Sequence, residues 1–167
     1  MQQLKYLNVF GLLFFFILLI LINSCEKEYE KIITKEDLPQ VVLDAFTAGY
    51  PEASVTGYTE EAEDGKIYYE ISFELEGRKI DILYNVEGVV VELEKTISAE
   101  EMPDLIQEAI AKEITEYSLI RIEKVQKEGK FFYEAKILNT KNDKKYELFF
   151  SESGELLEKE TMEEEEE

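Results

Sequence analysis

Two kinds of side chain in this sequence could do chemistry: one thiol and many carboxylates. Cys25 is the only cysteine, so neither an intrachain disulfide nor a zinc-thiolate cluster can form. What remains for it is covalent modification. Asp and Glu number 38 against 18 Lys and Arg, a formal charge of −20. Carboxylates can act as general acids and bases or bind calcium. Glu70 and Glu134 are the best acid/base candidates, but nothing in the sequence marks a pair as buried, so no catalytic residue is assigned. There is no His, which removes imidazole triads and His metal sites. No Gly-rich phosphate loop follows a strand pattern. No D-x-[DN]-x-[DN]-G loop is present, and the polar stretch 139–143 reads as a turn. Calcium is therefore expected only as a weak surface ligand, with no metal-ligating residue assigned. The reading is of a protein that is not an enzyme and carries no cofactor. The charge also opposes nucleic-acid binding, which depends on Lys and Arg neutralising phosphates.

The segment around Cys25 has its own logic. Lys5 precedes 14 unbroken apolar residues, 9–22. That is a signal-peptide length, short of the roughly 20 residues needed to span a bilayer. Ile22-Asn23-Ser24-Cys25 follows at once and resembles the lipobox of bacterial lipoprotein signals. The resemblance implies cleavage before Cys25 and lipidation of its thiol, with stable anchoring through two or more acyl chains. The expected layout is a signal peptide at 1–24 and an acidic linker at 25–32. Loss of Lys5 takes the mature charge to −21. The expected location is extracytoplasmic, anchored to the bacterial outer membrane on its periplasmic side or at the cell surface.

The rest of the chain repeats itself. A shift of 64 places 33–73 on 97–137 with ten identities, among them Pro39/Pro103, Gly65/Gly129, Tyr69/Tyr133 and Glu70/Glu134. After 139–144 the shift becomes 66 and Gly88 matches Gly154. Two repeats, 33–96 and 97–160, with a disordered acidic tail at 161–167, are expected. Each opens with a capping box, Thr34 with Asp37 and Ser98 with Glu101, followed by a helix starting at Pro39 or Pro103. Leu38, Val41, Val42, Ala45 and Phe46, and Met102, Leu105, Ile106, Ala109, Ile110 and Ile114, have helical spacing. Four strands follow in each copy, with turns at Asp64-Gly65, Glu76-Gly77 and Glu87-Gly88 in the first. Pairing across these turns sets Phe73 against Ile80, Ile71 against Ile82, Tyr69 against Tyr84, Ile67 against Val86, Tyr58 against Ile71 and Val91 against Tyr84. The second copy's core face is expected to hold Ile120, Ile122, Phe131, Tyr133, Ala135, Ile137, Tyr146, Leu148, Phe150 and Leu157. The fold class is α+β: two tandem repeats, each a helix on one face of a four-stranded antiparallel meander.

The opposite sheet face has no helix to cover it. The same register puts Glu61, Tyr68, Asn85 and Val90 in one row and Thr59, Glu70, Leu83 and Glu92 in the next. Their counterparts are Val125, Phe132, Ser151 and Leu156, then Glu123, Glu134, Phe149 and Glu158. Tyr68, Leu83, Val90, Phe132, Phe149 and Leu156 are thus the candidate partner-binding residues: apolar anchors ringed by carboxylates, suited to a basic partner. Ordinary exposed apolar residues, or contact with the other repeat or a second copy, are the competing explanations.

The Leu38-Pro39 helix start, DGKIYYEI at 64–71 and NVEG at 85–88 resemble the PepSY-like family of bacterial secreted proteins, related in fold to beta-lactamase inhibitor proteins. Met102-Pro103, EGKFFYEA at 128–135 and SESG at 151–154 repeat these marks. The resemblance implies tandem helix-plus-sheet units whose sheets form one aromatic gripping surface. The expected function is a non-catalytic, lipid-anchored module capturing a protein or peptide on that face, in an inhibitor-like manner. The alternative is an envelope assembly component that self-associates through it.

Overall fold

A computed structural model describes residues 28–162. Cys25, the apolar run and the terminal glutamates 163–167 lie outside the described residues. Among the described residues, nine strands form one antiparallel sheet in sequence order: β1 Tyr29–Ile32, β2 Ser54–Glu63, β3 Lys66–Leu75, β4 Arg78–Asn85, β5 Val90–Thr96, β6 Tyr117–Lys127, β7 Lys130–Asn139, β8 Lys144–Ser151 and β9 Leu156–Thr161. Helix α1, Gln40–Gly49, precedes β2, and helix α2, Asp104–Glu113, precedes β6. The arrangement is α+β, with two helices on a continuous sheet.

Each helix is launched by the same device. Thr34 N–H and Oγ1 both donate to Asp37, 2.9 and 2.8 Å, closing a 3₁₀ turn over Lys35–Asp37. Ser98 and Glu101 frame the equivalent turn Ala99–Glu101. Pro39 and Pro103 then stand at the N-caps of α1 and α2, where a missing N–H costs no helical hydrogen bond. Val42 and Phe46 from α1, and Ile106, Ala109 and Ile110 from α2, are buried. Val41 and Leu105 of the same periodic sets are each 46% exposed, because they flank the buried stripe and lie beside the Gly88 and Gly154 turns.

The tight turns set the ladders. Asp64-Gly65, Glu76-Gly77 and Glu128-Gly129 have both residues at positive φ, the backbone twist that two-residue hairpins require. Phe73 faces Ile80, Ile71 faces Ile82, and Tyr69 faces Tyr84 as the turn spacing predicts. Ile71, Phe73, Ile80, Ile82 and Tyr84 pack under α1, and Ile122, Tyr133, Ala135, Ile137, Leu148 and Phe150 under α2. Burying each large apolar side chain contributes about 1.5–3 kcal/mol. β5 pairs with β6, which carries one row from Phe73 and Ile80 through Lys95 and Lys124 to Tyr133 and Phe150. Both helices therefore lie on the same side of the sheet.

Several expectations need correction. The segment expected as an acidic linker contains β1, which pairs with β2 from Tyr29 opposite Ala62 to Ile32 opposite Thr59. The acidic tail does not begin at 161: Thr161 pairs with Tyr146, and Met162 N–H reaches Lys145 O at 3.0 Å. Bulges displace other residues. Between Val55 and Gly57, and again between Leu119 and Arg121, one residue drops out of the ladder. Leu119 therefore packs on the core and Ile120 is 54% exposed. Further bulges pair Tyr84 with Val90 rather than Val91, and Phe150 with Leu156. Leu157 is 49% exposed while Leu156 packs on the core. β4 ends at Asn85, so Val86 belongs to a turn and does not face Ile67 across the ladder.

Candidate functional site

The sheet face away from the helices carries three rows that run through the β5–β6 pairing. The first is Thr59, Glu70, Leu83, Glu92, Lys127. The second is Ser72, Asp81, Glu94, Val125, Phe132, Ser151. The third is Thr96, Glu123, Glu134, Phe149, Glu158. No described element covers this face.

The six candidate anchors fall into two groups and one misfit. Phe132 and Phe149 stack with ring centroids 5.3 Å apart and planes 17° from parallel. Their positions are diagonal on β7 and β8, within the reach of aromatic side chains. Tyr68, Leu83 and Val90 line a groove of about 360 Å³ together with Glu63, Glu92 and Lys127. Val90 is 46% exposed and pairs with Tyr84, while Val91, which drops out of the ladder beside it, also lines the groove. Leu156 is not an anchor: opposite Phe150, it joins the core beneath α2. Val90 and Leu156, matched in sequence at a shift of 66, thus take the same register against Tyr84 and Phe150 but differ in side-chain type and exposure.

The charges between these groups are organised. Lys127 Nζ sits 2.7 Å from Glu92, and Lys136 Nζ lies 3.2 Å from Glu134 and 3.1 Å from Glu147. Burial pushes the Glu70 carboxyl up to about 7, assisted by Asp81 and Glu61. Burial also pushes Glu94 up to about 8, with Glu134, Glu123, Glu92 and Asp81 adding repulsion. Glu134 is raised by burial and by Glu147 beside it. These groups can hold protons near neutral pH, but no nucleophile or leaving-group site converges with them among the described residues.

Sequence reasoning missed one constellation. Asp81, Glu94 and Glu123 each place a carboxylate oxygen within 4.8 Å of the other two. The missing signal was the β5–β6 pairing: rows counted within each repeat never bring Glu94 beside Glu123. The 139–143 stretch is indeed a turn, with Asn139 Oδ1 accepting Lys141 N–H at 2.9 Å and Asn142 Oδ1 accepting Lys144 N–H at 3.1 Å.

No family model and no curated protein matches this chain. Solved structures do. A candidate periplasmic protein from Bacteroides eggerthii superposes with a TM-score of 0.63 at 20% identity, covering 74% of this chain and 88% of that one. A DUF2874 family protein from Bacteroides ovatus gives 0.60 at 23% identity, over 74% and 87%. A BLIP-like protein from Bacteroides fragilis gives 0.55 at 19% identity, over 74% and 86%. At these identities the likeness is one of fold, and the described chain has the BLIP-like arrangement of helices on one side of an antiparallel sheet.

Proposed function

We propose that this chain is a non-catalytic binding module that grips a protein or peptide on its uncovered sheet face. The observation that carries the reading is the stacked Phe132–Phe149 pair lying half-buried on a face with no described covering element. Aromatic anchors inside a polar rim are the usual energetic centre of an interface. The surrounding carboxylates favour a basic partner and steer its approach. The Tyr68–Leu83–Val90 groove offers a second anchoring point on the same face. The two-repeat organisation at 33–96 and 97–160, and membership of the PepSY-like family, belong to this reading. They rest on the sequence identities at a shift of 64, on the shared turn motifs and on the recurrence of a helix before each run of four strands.

Location completes the proposal. Cys25 at the end of the apolar run supports a lipid anchor holding the domain outside the cytoplasm, on the outer membrane. Cys25→Ser is expected to abolish incorporation of labelled fatty acid and to release the protein from membranes. Continued membrane retention of this variant would point to an uncleaved apolar anchor instead.

Phe132→Ala combined with Phe149→Ala tests the face. Partner capture from envelope extracts is expected to fall by about tenfold or more, as loss of central aromatic anchors typically costs. Melting should change little, because both rings are only half-buried. A collapse in melting temperature would reassign the pair to the core. A dimer that dissociates on dilution, and is lost in the double variant, would make self-association the purpose of the face.

A further inference from the structure

We propose that Asp81, Glu94 and Glu123 form a binding site for one divalent cation, Ca²⁺ by preference, at the centre of the uncovered face. The three carboxylates come from adjacent strands β4, β5 and β6. Asp81 stands directly opposite Glu94, and Glu123 directly opposite Thr96, two residues further along β5. Like charges directly opposed across an antiparallel pair repel, a cost that a cation bound between the oxygens would remove.

Glu123 supplies the second observation. It is 1% exposed, although it lies on the sheet face that carries no helix. Oε1 accepts a long hydrogen bond from Thr96 Oγ1 at 3.3 Å. Oε2 is buried and accepts no hydrogen bond. Arg121 Nη2 approaches Oε2 to 3.0 Å, but off the direction a hydrogen bond requires, and Arg121 Nε is itself unpartnered. The guanidinium therefore offsets one charge without satisfying the oxygen. Nearby carboxylates have their own cations, Glu92 with Lys127 and Glu134 with Lys136. With all three carboxylates ionised, as a bound cation would hold them, one guanidinium leaves two negative charges, the complement of a divalent ion.

The donors select the ion. They are all oxygen, which suits a hard cation and not zinc or copper. Ca²⁺–oxygen distances of about 2.3–2.6 Å allow two ligands on opposite sides of one ion to be about 5 Å apart. The observed separations of no more than 4.8 Å fit that span. Mg²⁺, at about 2.0–2.1 Å, would need the oxygens drawn closer on a rigid sheet. A bound ion would tie β4 and β5 to β6, joining the strands beneath the Tyr68–Leu83 groove to those beneath the Phe132–Phe149 pair.

The test is calcium chloride titrated into the EDTA-stripped full chain at fixed neutral pH and moderate salt, read by calorimetry and thermal melting. One saturable site per chain and a higher melting temperature are expected. Glu123→Gln and Asp81→Asn should each weaken binding by about tenfold or more. Glu60→Gln, elsewhere on the sheet, should leave it unchanged. Asp81→Asn serves where Glu123→Gln fails to fold, since Asp81 is only half-buried. Absence of saturable binding overturns the site, as does equal weakening in all three variants, which would mark diffuse attraction to an acidic surface.

Discussion

Lowering the pH from about 8 to about 5.5, with EDTA present, is expected to stabilise this protein, raising its melting temperature by roughly 5–10 °C. The reason lies in Glu94, raised to about 8, Glu70, raised to about 7, and Glu134, raised in the same sense. In the unfolded chain these groups titrate near their ordinary value of 4.5. Between that value and about 8 the folded state holds more protons than the unfolded state. Stability therefore falls as pH rises through this window and levels off above it. A folded-state pKa one unit above its unfolded value corresponds to about 1.4 kcal/mol, discounted here because the carboxyls retain contact with water. The opposing groups act elsewhere. Glu101 is held at about 2 by its hydrogen bonds to Arg78, and Asp37 is lowered by its bonds from Thr34. Their contributions are lost only as pH falls below about 4.5, so a maximum near pH 5 is expected. Glu94→Gln should raise the melting temperature at pH 8 and flatten the slope. A profile that is flat or falls on acidification would show that the buried carboxylates on this face cost the fold little. Calcium present in place of EDTA should flatten the profile as well, because a cation would hold the carboxylates ionised.

How far the fold is legible in the sequence follows from what kind of signal each element carries. Capping boxes at Thr34 and Ser98 and prolines at 39 and 103 are local rules, and they locate both helices. Two-residue turns are equally local, and alternating apolar residues on both sides of Glu76-Gly77 leave one register for β3 and β4. Bulges break this counting. Near Thr56 and Ile120 the extra residue is an ordinary β-former with no conformational demand that a sequence would display. A single uncounted residue turns each later side chain to the other face, which is how counting puts Ile120 and Leu157 on the core and Leu156 on the open face. β1 is illegible for another reason. All four of its residues are exposed, so its pairing with β2 leaves no alternation to read.

The candidate site is legible only within each half. Phe132 and Phe149 belong to neighbouring strands joined by a turn, so their proximity can be counted along the sequence. Asp81, Glu94 and Glu123 meet only because β5 docks on β6, with the helix α2 and its approach between them in the chain. That docking strand is Glu- and Lys-rich and shows no apolar pattern strong enough to name its partner. The full burial of Val125, on the same uncovered face, has the same origin.

Gly88→Ala is expected to cost about 2–4 kcal/mol and to lower the melting temperature by roughly 10 °C. The turn before β5 is built on Asn85, whose carbonyl accepts Gly88 N–H at 3.0 Å and whose Oδ1 accepts Glu87 N–H at 3.1 Å and Val89 N–H at 2.9 Å. Gly88 has φ +75° and lies against α1. A Cβ there would stand 2.9 Å from Val41 O and 3.1 Å from Val41 Cγ2. The backbone oxygen cannot swing aside, so either the turn lifts or the helix shifts. Gly154 repeats the contact with φ +77°, but its Cβ would first meet the Leu105 side chain, Cγ at 3.0 Å, with Leu105 O at 3.3 Å. Its alanine variant should therefore be milder. Gly77 separates strain from contact: φ is +74° and nothing lies within 4 Å. Gly77→Ala should cost only about 1–2 kcal/mol. The expected order of destabilisation is thus Gly88, Gly154, Gly77. Equal losses at all three positions would mean that left-handed backbone alone is at stake and that the turns do not dock on the helices. The ordering matters to the uncovered face, because the Gly88 turn sets where β5 begins. Its seat on α1 fixes the height of Val90, Glu92 and Glu94 across the sheet. Gly88→Ala should accordingly weaken calcium binding at Glu94 in protein that is still folded, whereas Gly77→Ala should not.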